Sequence, residues 1–140
     1  MKKVGIWLDK EKAQVITLEN GNETLSIIPS NIEHYRIHGG SGTRLKGGPQ
    51  DVVQDSKYLE REKHQTKRYF NEIIETLKDV DRLVLFGPAD MDRKLKKELE
   101  LFHKELDSKV ELVEKADSMT QNQTIALIRD AFSINQNRSS

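Results

Sequence analysis

Hydrophobic and polar residues alternate near the start of the chain in a pattern typical of β-strands. Apolar side chains occupy every second position of residues 4–8, and alternate residues of a strand share one face. A second strand is predicted over residues 13–18 and a third over residues 24–28. Asn20 and Gly21 lie between these two strands, and this pair is a strong hairpin signal. The opening therefore predicts a three-stranded antiparallel meander.

From about residue 51 the spacing becomes helical and stays so to about residue 78. Only the second half of this helix has an apolar stripe at helical spacing, formed by Tyr69 or Phe70, Ile73 or Ile74, and Leu77. Residues 54–68 are nearly all polar. A helix with one apolar half and one polar half is predicted to project beyond its domain.

The rest of the chain alternates strands with helices. A continuous apolar run over residues 82–86 predicts a buried strand, and Pro88 predicts the start of the next helix. A fifth strand is predicted over residues 109–113, and Ser118 with Gln121 predicts the capping box of a last helix. The predicted buried face of the second helix is Met91, Leu95, Leu99, Phe102 and Leu106. That of the last helix is Ile125, Ile128 and Phe132.

The element order βββαβαβα places antiparallel strands before right-handed parallel βα units. It predicts an α/β, ribonuclease H-like fold. Its five-stranded mixed sheet has the order 3-2-1-4-5, with helices on both faces. We expect one domain over residues 1–134 and a frayed tail over residues 135–140, since 140 residues suit a single domain.

The amino-acid composition and the lengths of the apolar runs argue against several kinds of site and protein. The chain has no cysteine, which excludes disulfides and thiolate metal sites. The apolar run after Lys2 and Lys3 stops at Asp9, too short for a signal peptide. No stretch approaches the roughly 20 apolar residues of a membrane span. We therefore expect a cytoplasmic protein with no membrane partner.

Charge is balanced over the whole chain but segregated within it. There are 23 basic and 23 acidic residues. Residues 34–68 carry eight basic and four acidic ones, so this segment has a net charge of +4 and the remainder −4. Five glycines occur between residues 39 and 48. A basic, glycine-rich loop suits a phosphate backbone, although charged loops are usually just solvated. The candidate RNA-binding residues are Arg36, Arg44, Lys46, Lys57, Arg61, Lys63 and Lys67.

The tip of this segment carries a recognisable motif. Lys46, Gly47, Gly48, Pro49 and Gln50 follow the basic loop and precede the long charged helix. This arrangement resembles the Gly-Gly-Gln loop in the middle domain of archaeal and eukaryotic peptide-release factors and of Pelota.

Weaker matches extend the resemblance over nearly the whole chain. They are WLD at residues 7–9, AQV at 13–15, FGPA at 86–89 and TQNQ at 120–123. In this order they resemble bacterial and archaeal stand-alone relatives of that middle domain, which has the fold predicted above.

The resemblance implies a release- or rescue-like factor that binds the ribosome and places its loop against rRNA or tRNA. It implies that Gly47, Gly48 and Gln50 assist hydrolysis of the peptidyl-tRNA ester. Pro49 departs from the family pattern, because it fixes φ, lacks an N–H group and shifts Gln50 by one residue. Hydrolysis therefore stays open, and an ordinary turn into the helix is the alternative.

Two other functions are compatible with the sequence. One is a non-catalytic module that binds RNA or ribosomes. The other is a metal-dependent nuclease, for which Asp9 is well placed at the end of the first strand. However, the fourth strand ends without an acid, and Asp90 and Asp92 suit a helix N-terminus. The histidines form no metal-ligand pattern and there is no nucleotide-binding motif, so we expect no metal and no cofactor.

Overall fold

The computed structural model describes the backbone of residues 1–32 and 48–139, and the side chains of residues 1–32 and 59–133. Within these residues the chain forms five strands, β1 to β5, which are Lys2–Leu8, Lys12–Glu19, Asn22–Pro29, Arg82–Gly87 and Val110–Lys115. It also forms four helices, α1 to α4, which are Gly48–Glu75, Met91–Phe102, Lys104–Asp107 and Gln121–Ser139. In this described part of the chain, no helix is both long and apolar enough to cross a membrane.

The strands form one mixed sheet in the order β3-β2-β1-β4-β5. β2 pairs antiparallel with β1 and with β3, whereas β4 pairs parallel with β1 and with β5. These findings confirm the predicted element types, strand order and mixed pairing. Because β1, β4 and β5 are parallel, their carboxyl ends lie at the same edge of the sheet. We call this the C-terminal edge.

The hairpin between β2 and β3 turns at the predicted residues. Asn20 has φ 54° and Gly21 has φ 81°, and two positive φ values in succession are what a type I′ turn requires. Glu19 lies opposite Asn22 directly beside the turn. The turn therefore fixes the register, and with it the face on which each β2 and β3 side chain lies.

One face of the sheet packs against α1 and α2. Val4, Ile6 and Leu8 point to this face from β1, in a cluster that contains Ile73 of α1 and Leu95 of α2. All five side chains have 0% exposure. Burying each such side chain contributes roughly 1.5–3 kcal/mol, so this cluster firmly anchors the second half of α1.

The opposite face packs against α4. Trp7 and Phe86 from the sheet contact Ile128 and Phe132 of α4 in a second cluster. Gly5 allows this close approach, because a Cβ atom there would lie 2.3 Å from a side-chain carbon of Ile128. The predicted inward residues of the last helix and the helices on both faces are therefore confirmed.

The helix after β4 differs from the prediction at both ends. It begins at Met91 and not at Pro88, and it ends at Phe102. His103 follows with φ −141° and ψ 64°, outside the helical region. Phe102 is 60% exposed, so its predicted place on the buried face is wrong. Leu106 belongs to α3 and is half-buried.

The last helix is capped by a different pair of residues from the one predicted. The Thr120 backbone N–H donates to Gln123 Oε1 at 3.0 Å, and the Gln123 N–H donates to Thr120 Oγ1 at 3.2 Å. This reciprocal pair is a capping box. It lies two residues after the predicted pair, Ser118 and Gln121, because α4 itself begins at Gln121.

Candidate nucleic-acid interface

The predicted loop lies partly outside the described residues. This applies to Arg36, Arg44, Lys46 and Gly47. Gly48 and Gln50 are backbone positions in the first turn of α1, on either side of Pro49, so the helix begins three residues earlier than predicted. Proline is favoured in a first helical turn, where its missing N–H is not needed. Lys57 is also a backbone position of α1.

α1 has 28 residues, and its two halves differ in packing. Tyr69, Phe70 and Ile73 are at most 4% exposed. In residues 59–68, whose side chains are described, none is buried. At 1.5 Å per residue, Gly48 lies roughly 30 Å along the helix axis from Tyr69. We call residues 48–68 of α1 the arm.

A buried tyrosine fixes the point at which the arm leaves the sheet. Tyr69 is 0% exposed, and its hydroxyl donates to the backbone oxygen of Asp9 at 3.0 Å. Burial, and to a lesser degree the negative charge of Asp9, raise the pKa of Tyr69 above its usual range. The phenol therefore stays protonated and remains a donor.

The turn that receives this hydrogen bond is itself closed by hydrogen bonds. Asp9 Oδ1 accepts hydrogen bonds from the backbone N–H groups of Glu11 and Lys12 at 2.8 and 2.9 Å. The Asp9 N–H donates to the Lys12 backbone oxygen at 3.0 Å. Because Asp9 closes the β1–β2 turn in this way, the backbone oxygen that Tyr69 binds has a fixed position.

The chain after β3 is tied to the same place. Ser30 Oγ donates to the Lys10 backbone oxygen at 2.6 Å, and the Ser30 N–H donates to the Glu11 backbone oxygen at 2.8 Å. Arg68 Nη2 donates to the backbone oxygens of Ser30 and Asn31, both at 3.3 Å. These contacts and the Tyr69 hydrogen bond form what we call the anchor. It joins the chain that leads into the predicted loop to the helix that leaves it.

Three of the predicted RNA-binding residues have described side chains. Arg61 and Lys63 are exposed on the arm. Lys67 Nζ lies 3.7 Å from Glu98 Oε2 of α2 and 4.4 Å from the centre of the Phe102 ring. Lys67 therefore contacts α2, and part of its charge is balanced within the protein.

A groove of about 800 Å³ lies between the arm and α2. We call it the α1–α2 groove. Its lysines come from three elements, since Lys10 lies in the β1–β2 turn, Lys63 and Lys67 in α1, and Lys94 in α2. Neither Lys10 nor Lys94 is among the RNA-binding residues predicted from the sequence. Lys94 could have been found, because it follows Met91 by three residues and so borders the buried stripe of α2.

Two carboxylates, Asp9 and Asp92, lie at the C-terminal edge. Asp9 closes a turn, as described above. Asp92 is 2% exposed, and burial raises its pKa above the usual value. A Cβ atom on Gly87 would lie 3.3 Å from Asp92 Oδ1 and 2.7 Å from the Leu8 backbone oxygen, which confirms close packing there. Among the described side chains, no cluster of three potential ligands could hold a metal ion. These residues therefore give no support to the nuclease alternative.

No protein-family model matches the chain. Among solved structures it is similar to Archaeoglobus fulgidus Pelota, with a TM-score of 0.57 and 11% identity over 92% of this chain and 31% of that one. Thermoplasma acidophilum Pelota gives a TM-score of 0.54 and 12% identity over 92% of this chain and 32% of that one. The archaeal translation termination factor aRF1 gives a TM-score of 0.52 and 10% identity over 99% of this chain and 40% of that one. The chain thus spans about a third of the length of these proteins, and at such identities the likeness shows a shared fold.

Proposed function

We propose that this protein is a ribosome-associated factor of the release or rescue type, working in the cytoplasm. The arm holds the basic, glycine-rich segment of residues 39–50, which ends in the first turn of α1, against rRNA or tRNA. Arg36, Arg44 and Lys46 of the loop region contact phosphate groups, together with Lys57, Arg61, Lys63 and Lys67 of the arm. The protein needs neither a membrane nor a nucleotide cofactor for this role.

The position of the loop motif carries the proposal. Gly48 and Gln50 lie in the first turn of a 28-residue helix, at the end away from the anchored residue Tyr69. A long helix held at one end can deliver a short segment to a site that the body of the domain does not reach. The fold shared with two Pelota proteins and a translation termination factor supports the same role.

Ribosome binding is the first test. We expect the double variant Arg44→Glu and Lys46→Glu to lower the affinity for ribosomes at least about tenfold, with a smaller salt dependence than wild type, because fewer counterions are released. The double variant Lys97→Glu and Lys104→Glu makes the same charge change on the exposed surface of α2 and α3. Cosedimentation measures both. Equal binding by wild type and both variants would reject the proposal.

Peptidyl-tRNA hydrolysis is a separate part of the proposal. If Gly47, Gly48 and Gln50 act as the resemblance implies, Gly48→Ala and Gln50→Ala abolish peptide release from stalled ribosomes. Deletion of Pro49 joins Gly48 directly to Gln50, and we expect it to increase release. Ribosomes carrying a labelled nascent peptide provide the assay. Release that is absent in wild type and in the deletion variant would remove the catalytic role and leave the binding role.

Pro49 favours a second candidate, a binding module without catalysis. It restricts the backbone where the release-factor loop has flexible glycine. This candidate predicts that Gln50→Ala binds ribosomes as wild type does and that neither protein releases peptide. The two candidates thus differ in release and agree in binding.

A further inference from the structure

The α1–α2 groove brings positive charge from separate parts of the fold to one surface. Lys63 lines it from α1, Lys94 from α2 and Lys10 from the β1–β2 turn. Residues that are 84 positions apart in the sequence thus face the same space. We propose that this groove is a second RNA-binding surface, which receives a phosphodiester strand that runs along the arm. This inference rests on the proposed function, since the arm must meet RNA for the strand to enter.

Continuity with the arm identifies RNA as the occupant. Lys63 and Lys67 belong to the proposed RNA-binding residues of α1, and both also line the groove. A strand bound along the arm therefore passes Lys63 and Lys67 as it reaches the groove. Lys94 then contacts it from the opposite wall. A surface with lysines on two sides can hold a phosphate group more firmly than one helix face can.

Glu60, Glu62 and Glu98 also line the groove, so its four lysines leave a net formal charge of +1. Glu98 lies 3.7 Å from Lys67 and is only 14% exposed, so its charge is already balanced by a neighbour. Lys94 has Asp90 at 3.7 Å, but both side chains are about half exposed. Exposed pairs of this kind are weak and screened by salt, and Lys94 can exchange Asp90 for a phosphate group.

The floor of the groove suits the uncharged part of a nucleotide. Ile32, Phe70 and Met91 form its apolar base, each at most 9% exposed. Leu59 on the arm is 55% exposed. A ribose or base placed over Leu59 would cover this exposed side chain while its phosphate group contacts the lysines. The volume lies within the roughly 300–1,000 Å³ that is typical of ligand sites.

The test compares two lysines of α2. Lys94→Glu reverses a charge in the groove, and Lys97→Glu reverses an exposed one that does not line it. We expect Lys94→Glu to weaken binding of a labelled single-stranded RNA and of ribosomes about five- to tenfold, and to reduce the salt slope by about 1. Lys97→Glu should change either affinity less than about twofold. Equal effects of the two variants would overturn the proposal.

A third variant separates this proposal from the proposed function. Arg61→Glu alters an arm residue that does not line the groove. If it weakens ribosome binding while Lys94→Glu does not, the groove proposal fails and the function stands. If neither weakens binding, the groove proposal fails, and the Arg44→Glu and Lys46→Glu variant decides the proposed function. If Lys94→Glu has no effect but Leu59→Asp lowers ribosome binding, the groove binds protein instead of RNA, and the proposal is overturned.

Discussion

The two halves of α1 are continuous in the chain and opposite in environment. Tyr69 and Ile73 in the second half are fully buried against the sheet, whereas Leu59 in the arm is 55% exposed. The second half has the apolar stripe that a sheet-packed helix needs. The described part of the arm has charged residues at most positions and no buried side chain.

This difference shows that core packing explains the residues of one half of α1 and not those of the other. Core packing explains the apolar residues of the second half, since each of them belongs to the core cluster or packs against it. Packing does not account for the charges of the arm. Most helical stability in proteins comes from the packing of an apolar face. The described part of the arm buries no side chain, so the arm depends on its continuity with the anchored half. The composition of the arm is then free to match a partner.

The largest expected effect comes from matched aliphatic substitutions in the two halves. Ile73→Ala should lower the free energy of unfolding by about 2–5 kcal/mol, because it leaves a cavity in the core. Leu59→Ala should change it by less than about 0.5 kcal/mol, since Leu59 is exposed. Urea unfolding followed by circular dichroism measures both. A cost above about 1 kcal/mol for Leu59→Ala would show that the arm is packed. The two halves of α1 would then not differ in packing.

A smaller effect is expected at the boundary between the halves. Tyr69→Phe keeps the buried ring and removes the hydrogen bond to the Asp9 backbone oxygen. We expect a loss of about 0.5–1.5 kcal/mol in the free energy of unfolding. Amide hydrogen exchange should become faster in residues 59–68 relative to β1, because the anchor holds the base of the arm. A uniform change across both regions would mean that the hydrogen bond stabilises the domain without holding the arm.

Much of the fold could be predicted because alternation and helical spacing report directly on burial. Asn20 and Gly21 predicted the hairpin, and the apolar run at residues 82–86 predicted that β4 is a buried strand. The prediction failed at Phe102, whose spacing matches the stripe of α2. The helix ends there because His103 leaves the helical region, and no proline or glycine announces that change.

The candidate site could be predicted only where its residues are close in sequence. The basic segment was visible as a local excess of charge. The α1–α2 groove was not, because Lys10 and Lys94 meet Lys63 only after the sheet has formed. The anchor was equally hidden, since it consists largely of hydrogen bonds to backbone oxygens, and every residue has such an acceptor.

The smallest expected effect tests whether α2 supports the arm through Lys67. Lys67→Met removes the charge near Glu98 and above the Phe102 ring but keeps most of the apolar chain. We expect a cost below about 1 kcal/mol in the free energy of unfolding, since Lys67 is half exposed. Lys63→Met, on the same helix, should cost less. The difference between the two should shrink at about 1 M salt, where charges are screened within roughly 3 Å. A difference that salt leaves unchanged would show that the ion pair of Lys67 with Glu98 does not account for the support that α2 gives to the arm.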